Sequence, residues 1–340
     1  MEKRFHWKLK HREIVLGERT HVMGILNITP DSFSDGGLYN DPEKALARAL
    51  ELEEQGADIL DIGAESTKPG SHRISEAEEL RRLIPVLKRL RDKLSIPISV
   101  DTYKSQVAEK ALEHGAEIIN DPTGLLLDLQ LTKVVNKYDA GLIINHMRGM
   151  PETWARLGPL KDLMRSLVID LEAAHNRARQ AGIQKHQIVV DPGLGFGKRR
   201  EQNSEIIAKL GALRSLDVPL MVGPSRKSFL RKEDKSETEF ATAAAVTAAI
   251  LNGAHIVRVH DVRAMKSVAE VADTIRLAGQ EDNEPEEKTA AAPPRQRMQP
   301  ALGQGAAPPI KRPPSRRPPV RRADSPGNSG FRADQERRDE

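Results

Sequence analysis

Four polar side chains spread along the chain, Asp101, Asn120, Asp191 and Lys227, supply two carboxylates, an amide and an ammonium. That donor–acceptor set suits the edge of a flat nitrogen heterocycle. A buried carboxylate can accept from a ring N–H and an exocyclic amine together, and such a bidentate match is selective. A second group, Asn27, Thr67, Lys68, Arg258 and His260, consists of neutral donors and cations, as an anionic phosphate group would want. The run DPGLGFGK at 191–198 is rich in glycine but lacks the GxxxxGK[ST] spacing of a phosphate loop. Its glycines fit better a close approach of backbone to a flat ligand, with Phe196 as an apolar wall.

These residues follow eight short apolar runs: VMGIL (22–26), ILDIG (59–63), ISV (98–100), EIIN (117–120), GLIIN (141–145), IVVD (188–191), LMV (220–222) and HIVRV (255–259). Near-continuous apolar runs fit parallel strands covered on both faces. Amphipathic helical stretches lie between them, such as SEAEELRRLIPVLKRLRDKL, and Gly56, Gly115 and Gly253 stand where a helix would be capped. Eight strand–helix units predict an α/β chain folded as a (β/α)8 TIM barrel, with residues 1–21 as an extension that could close its bottom. A doubly wound open sheet is the rival architecture, but no GxGxxG fingerprint accompanies it. One polar strand end is ordinary, because chain leaving a core must become polar. Eight of them around one mouth are costly unless they bind something.

Composition bounds the rest. The 340 residues carry a net charge of +4 and no cysteine, which excludes disulfides and thiolate metal sites. Eight Lys or Arg and no Asp or Glu lie between Arg295 and Arg322, and eleven of the 22 prolines lie between Pro285 and Pro326. Such a segment cannot bury enough apolar surface to order itself. The expected organisation is therefore an extension over 1–21, a catalytic barrel over 22–280 and a disordered tail over 281–340. The tail's basic run could bind nucleic acid only weakly and in a salt-dependent way, so no nucleic-acid partner is expected. No signal-like or membrane-length apolar run is present, and a cytoplasmic protein is the default.

One connection is too long. ILNITPDSFSDGG (25–37) joins the first strand to the first helix through roughly twice the usual two to six residues.

Taken in order, ILNITPDSFSDGG, DIGAESTKPG, SVDTYK, IINDPTG, DPGLGFGK, GPSRKSF and IVRVHDV resemble dihydropteroate synthase, from about Val22 to Ala278. The resemblance implies a folate-pathway transferase that joins p-aminobenzoate to 7,8-dihydropterin-6-ylmethyl diphosphate, releasing diphosphate. By that likeness Asp101, Asn120, Asp191 and Lys227 hold the pterin, and Thr67, Lys68, Arg258 and His260 grip the diphosphate. Asn27 would help bind Mg2+ on the diphosphate, which makes Asn27, Arg258 and His260 the catalytic set. Phe33, Pro69, Phe196, Lys227 and Ser228 would border p-aminobenzoate, with Ser228 near a helix N-terminus. The long first loop would then close over bound diphosphate with Phe33 at its tip. The family pairs through barrel helices, so a homodimer is expected.

One residue departs from the family pattern. The second loop reads STKPG where STRPG is usual, and Lys68 keeps the charge but loses the planar fork of arginine. The pterin-binding barrel of a corrinoid-dependent methyltransferase is the nearest alternative, but it would need neither the SFSDGG loop nor STxPG. An inactive paralogue should have lost loop residues that are present here. An interaction protein working through its Arg/Pro-rich tail is the alternative from a different class.

Overall fold

The computed structural model describes residues 3–29, 41–68, 70–281 and Pro309. Phe33 and the rest of the long first loop (30–40), Pro69, and the proline- and arginine-rich segment apart from Pro309 lie outside the described residues. The chain divides into two units, Met1–Glu286 and Glu287–Glu340, and every helix and strand named below belongs to the first.

An antiparallel hairpin, β1 (Phe5–Lys8) and β2 (Glu13–Leu16), comes first, with Phe5 opposite Leu16. Eight parallel strands follow: β3 (His21–Asn27), β4 (Ile59–Gly63), β5 (Ile98–Asp101), β6 (Ile118–Asp121), β7 (Gly141–Asn145), β8 (Ile188–Asp191), β9 (Met221–Val222) and β10 (Ile256–Val259). They coincide with the eight apolar runs of the sequence. Their order in the sheet is β8-β7-β6-β5-β4-β3-β10-β9. A parallel bridge between Val190 and Leu220, with Val190 N–H donating to Pro219 O at 3.0 Å, joins the two ends and closes the barrel.

Among the described residues eight α-helices surround it: α1 (Pro42–Glu54), α2 (Glu76–Leu90), α3 (Ser105–Glu113), α4 (Gln130–Lys137), α5 (Leu163–Gln180), α6 (Arg200–Ala208), α7 (Lys235–Leu251) and α8 (Val262–Glu281). Their starts are legible in the sequence. Asp41 caps α1, accepting from Glu43 N–H at 2.9 Å, with Pro42 in the first turn, and Ser75 caps α2. The charged stretch before α7 serves the same end, because Asp234 accepts from the backbone N–H of Ser236 and Glu237. Gly56, Gly115 and Gly253 follow their helices at φ +97°, +102° and +104°.

Successive residues of a strand face opposite ways, and this divides the core in two. One set, including Leu26, Leu60, Ile119, Leu142, Val190 and Val257, packs against helix residues such as Ala49, Leu52, Leu83 and Leu87. The other set fills the interior at the N-terminal end. There Met23, Ile59, Ile118, Ile143, Val189, Met221 and Ile256 gather around Trp7, Leu9 and Leu16 from the hairpin. The extension does close the bottom of the barrel. Trp7 is buried, and its indole N–H donates to Gln187 O at 2.9 Å, so its polar atom stays satisfied inside the plug.

Candidate active site

The apolar plug determines where polar chemistry begins. Two residues along the same face, one layer higher, the interior changes character. Ile59 is followed by Asp61, Ile118 by Asn120, Ile143 by Asn145, Val189 by Asp191 and Ile256 by Arg258. Asp101 joins this layer at the end of β5, in register with Asn120 on one side and Gly63 on the other. A floor of hydrocarbon thus carries a ring of charge on its upper side.

Within the ring, Arg258 links two carboxylates. Its Nε donates to Asp61 Oδ2 at 2.6 Å and its Nη2 to Asp101 Oδ2 at 3.1 Å. Asn120 Nδ2 donates to Asp61 Oδ2 at 3.3 Å, while Asn120 Oδ1 accepts from Asn145 Nδ2 at 2.7 Å. Burial pushes the Asp101 carboxyl up to about 7, against the opposing pull of Arg258 and with the help of the Asp61 charge. Burial likewise raises Asp191 to about 6, although Gly193 N–H donates to its Oδ1 at 2.6 Å.

On the opposite side, the Lys227 ammonium lies 4.1 Å from the centre of the Phe196 ring. Burial and the nearby Arg258 charge bring Lys227 down to about 8. Phe196 in turn stacks on Trp154, with ring centres 5.4 Å apart and 28° between planes. Trp154 therefore backs the wall that Phe196 forms.

The glycine-rich loop after β8 is pressed against its neighbour. A Cβ on Gly193 or Gly197 would collide with His146 O or Arg148 O, and both glycines have positive φ (+66° and +70°). The close approach read from the sequence exists, but it is made to the backbone of the loop after β7. Lys198 fastens the two loops together, its Nζ donating to His146 O at 2.9 Å, Gly193 O at 2.8 Å and Phe196 O at 3.3 Å. Its burial lowers it to about 7.

His260 follows β10. Ser225 Oγ accepts from the His260 backbone N–H at 3.2 Å and lies 2.9 Å from its Nδ1. The two contacts with Ser225 fix the imidazole ring through Nδ1. Burial, then the charges of Arg226, Arg258, Lys227 and Lys68, hold His260 well below the usual imidazole range. It is a neutral donor, not an acid, in the free enzyme.

Of the other anticipated residues, Thr67 is half-buried and Lys68 exposed on the loop after β4. Asn27 ends β3 opposite Gly63. Ser228 is exposed and opens a single 3-10 turn (Ser228–Leu230), so the helix near it is one turn long and α7 starts only at Lys235. Phe33 and Pro69 lie outside the described residues.

Three groups escaped the sequence reading. Asp61 sits inside the apolar run ILDIG, and its signal was a charge two residues beyond a plug residue on the same face. Lys198 gave no signal beyond ending a glycine-rich loop. Lys104, after β5, lies between Glu65 (2.5 Å) and the buried Glu79 of α2, and Glu65 Oε2 also accepts from Ile74 N–H. The root of the loop that carries Thr67 and Lys68 is tied down by this buried group.

Among the described residues no three His, Cys, Asp or Glu side chains form a metal cluster. Asn27 nonetheless offers a hard carboxamide oxygen at the mouth, on the Gly63 side. One neutral oxygen donor fits an Mg2+ ion held chiefly by phosphate oxygens and water.

Comparison with known proteins agrees with this geometry. The sequence profile of the family described as pterin binding enzyme matches residues 23–260. A dihydropteroate synthase of Synechocystis sp. is 44% identical over 263 residues, covering 76% of this chain and 91% of its own length. The crystal structure of the Yersinia pestis dihydropteroate synthase with a sulfonamide drug superposes with a TM-score of 0.76 at 34% identity, covering 80% of this chain and 100% of that one. The Xanthomonas albilineans dihydropteroate synthase with 4-aminobenzoic acid gives 0.73 at 37% identity, covering 82% and 99%. The chain belongs to the pterin-binding enzymes and, within them, to the dihydropteroate synthases.

Proposed function

We infer that the protein is a transferase of folate biosynthesis that condenses p-aminobenzoate with 7,8-dihydropterin-6-ylmethyl diphosphate, giving 7,8-dihydropteroate and diphosphate. The observation that carries the reading is the juxtaposition at one mouth of the register partners Asp101 and Asn120 with the cations Arg258 and Lys227. A methyltransferase barrel or an inactive paralogue is not favoured, since relatives that match most of the chain are synthases.

In this reading Asp101, Asp191 and Asn120 meet the ring N–H, amine and carbonyl groups of the pterin edge, and Lys227 donates to an acceptor on it. Thr67, Lys68, Arg258 and His260 take the diphosphate oxygens. As the methylene–oxygen bond breaks, negative charge grows on the leaving group and positive charge on the pterin. Arg258, Lys68 and His260 stabilise the first, and the ionised carboxylates Asp101 and Asp191 the second. The aniline nitrogen of p-aminobenzoate then captures the cation, so no covalent enzyme intermediate and no strong base are required. Phe33, Pro69, Phe196, Lys227 and Ser228 would border this second substrate, with Phe196 as its apolar wall. Asn27 would hold Mg2+, which supplies Lewis-acid stabilisation of the diphosphate.

A homodimer belongs to the same proposal. Phe240 on α7 and Val271 and Ile275 on α8 are exposed apolar side chains, and α7 and α8 pack against each other. No helix among the described residues is long and apolar enough to cross a membrane, and a cytoplasmic location is proposed with the small, free substrates. Diphosphate release from the pterin substrate, measured with and without p-aminobenzoate and Mg2+, tests the function. Release that requires p-aminobenzoate is expected; no turnover by the purified protein would sink the reading.

A further inference from the structure

We propose that Asp61, which meets no substrate in the mechanism above, is the positioning residue that fixes both Arg258 and Asn120 for the transfer reaction. The proposal rests on the synthase reading and adds a residue to it. Asp61 has a fully buried side chain in the middle of β4, where an unpaired carboxylate would be strongly disfavoured. Its partners are not those of a fold-stabilising carboxylate. One oxygen, Oδ2, takes Arg258 Nε and Nη2 at 2.6 Å and Asn120 Nδ2 at 3.3 Å. The other, Oδ1, has no partner among the described residues. Every bond that Asp61 makes is therefore directed at the two groups assigned to diphosphate and pterin.

The consequences for each group are geometric. Two contacts on one oxygen fix the plane of the guanidinium, leaving Nη1 as the nitrogen that neither carboxylate engages. The Asn120 amide is held from both ends, by Asp61 at Nδ2 and Asn145 at Oδ1, so its orientation is set before substrate arrives. Asp61 also lets Asp101 leave Arg258. When Asp101 turns to the pterin, Arg258 keeps its carboxylate partner and does not become a lone buried cation.

Removing this charge redistributes the site. In Asp61→Asn, Asp101 is the remaining carboxylate on Arg258, so it is drawn to the guanidinium and away from the pterin. The groups facing Asp101 are Arg258 from β10, Asp61 from β4, Glu79 from α2 and Lys227 from the loop after β9. Loss of the Asp61 charge removes one of the two repulsions that, after burial, raise the Asp101 carboxyl. The acidic limb of the pH–rate profile then moves to lower pH, while the KM for p-aminobenzoate, which loosening of the fold would also raise, stays nearly unchanged.

The test measures Asp61→Asn in the full chain by steady-state kinetics and by calorimetric binding of 6-hydroxymethylpterin. We expect the KM for the pterin diphosphate and the Kd of 6-hydroxymethylpterin each to rise about tenfold, with the KM for p-aminobenzoate changed by less than about twofold. The acidic limb should fall. A folded Asp61→Asn with unchanged pterin binding and an unmoved limb would overturn the proposal. If the single variant does not fold, Arg258→Gln/Asn120→Ala is compared with the same pair plus Asp61→Asn, so that both groups held by Asp61 are already gone. A further loss of pterin affinity of less than about twofold supports action through those two groups, and a larger loss refutes it. Failure of the wild-type protein to form pteroate while still binding 6-hydroxymethylpterin would sink the synthase reading alone, because the binding arm still decides the role of Asp61.

Discussion

The ammonium of Lys227 stands 4.1 Å over the ring of Phe196, so one aromatic side chain both walls the mouth and stabilises the charge of a half-buried lysine. A partly desolvated cation–π contact of this kind is worth about 1.4 kcal/mol, or about one pH unit at the lysine. Replacing Phe196 by Leu keeps an apolar wall but loses the ring. We expect the Lys227 ammonium to deprotonate about one pH unit lower, moving the basic limb of the rate profile down, and the KM for p-aminobenzoate to rise. An unmoved basic limb would show that the contact does not hold the charge.

The wild-type pH dependence follows from the same groups. In the proposed mechanism Asp191 and Asp101 must be ionised to accept from the pterin, and burial has raised them to about 6 and about 7. Lys227 must be protonated to donate, and burial has lowered it to about 8. The rate constant kcat/KM for the pterin diphosphate should therefore rise through the lower pair, fall through the lysine and peak between them. Because the charges interact, the limbs belong to the set and not to single residues. A profile flat from pH 5 to pH 9 would contradict these assignments.

Lys68 stands where the family usually carries arginine, on the exposed part of the loop after β4. A guanidinium can hold two diphosphate oxygens in one plane, while an ammonium holds them as a point charge. Lys68→Arg should lower the KM for the pterin diphosphate by about threefold, in line with the modest energies of partly exposed charges. Unchanged Michaelis constants and turnover would remove Lys68 from the diphosphate site.

Lys104 is a stability element. Its side chain is 9% exposed, and its carboxylate partners Glu65 and Glu79 are 11% and 1% exposed. Lys104→Met leaves two buried carboxylates without their counterion and should cost about 3–5 kcal/mol in urea unfolding at neutral pH. Burial already raises Glu79, and without Lys104 the folded state binds protons more tightly than the unfolded chain. The variant's stability should therefore fall as pH rises above the carboxylate range, and acid should restore part of the loss.

We propose that the segment beyond the first compact unit has no part in turnover. Truncation after Glu286 keeps all of α8, which reaches Glu281. The truncated protein should match the full chain in kcat and both Michaelis constants. A fall in either substrate's kcat/KM beyond about twofold, larger than surface changes usually cause, would give the tail a catalytic role.

The sequence by itself determined the barrel, because each strand announces its place with a short run of apolar residues, and α1, α2, α5 and α7 begin at a capping Asp or Ser. It also named candidates for the site. Asp101, Asn120, Asp191, Lys227 and Arg258 lie where strands end, and a polar residue there is exposed to the mouth whatever its partners. What it left open was which of them meet. Arg258 and Asp61 are 197 positions apart, and they touch only because barrel closure sets β10 beside β3 and β3 beside β4. Within ILDIG, Asp61 looked like part of a buried strand, since periodicity assigns a side chain to a face but not to a height above the plug. The glycines of DPGLGFGK and the ammonium of Lys198 were ambiguous for the same reason. Their partners are carbonyls of another loop, and backbone positions leave no mark on residue type. Composition and spacing fix local structure and chemical type, whereas pairing, burial and the charge state of each group arise only from contacts between distant segments.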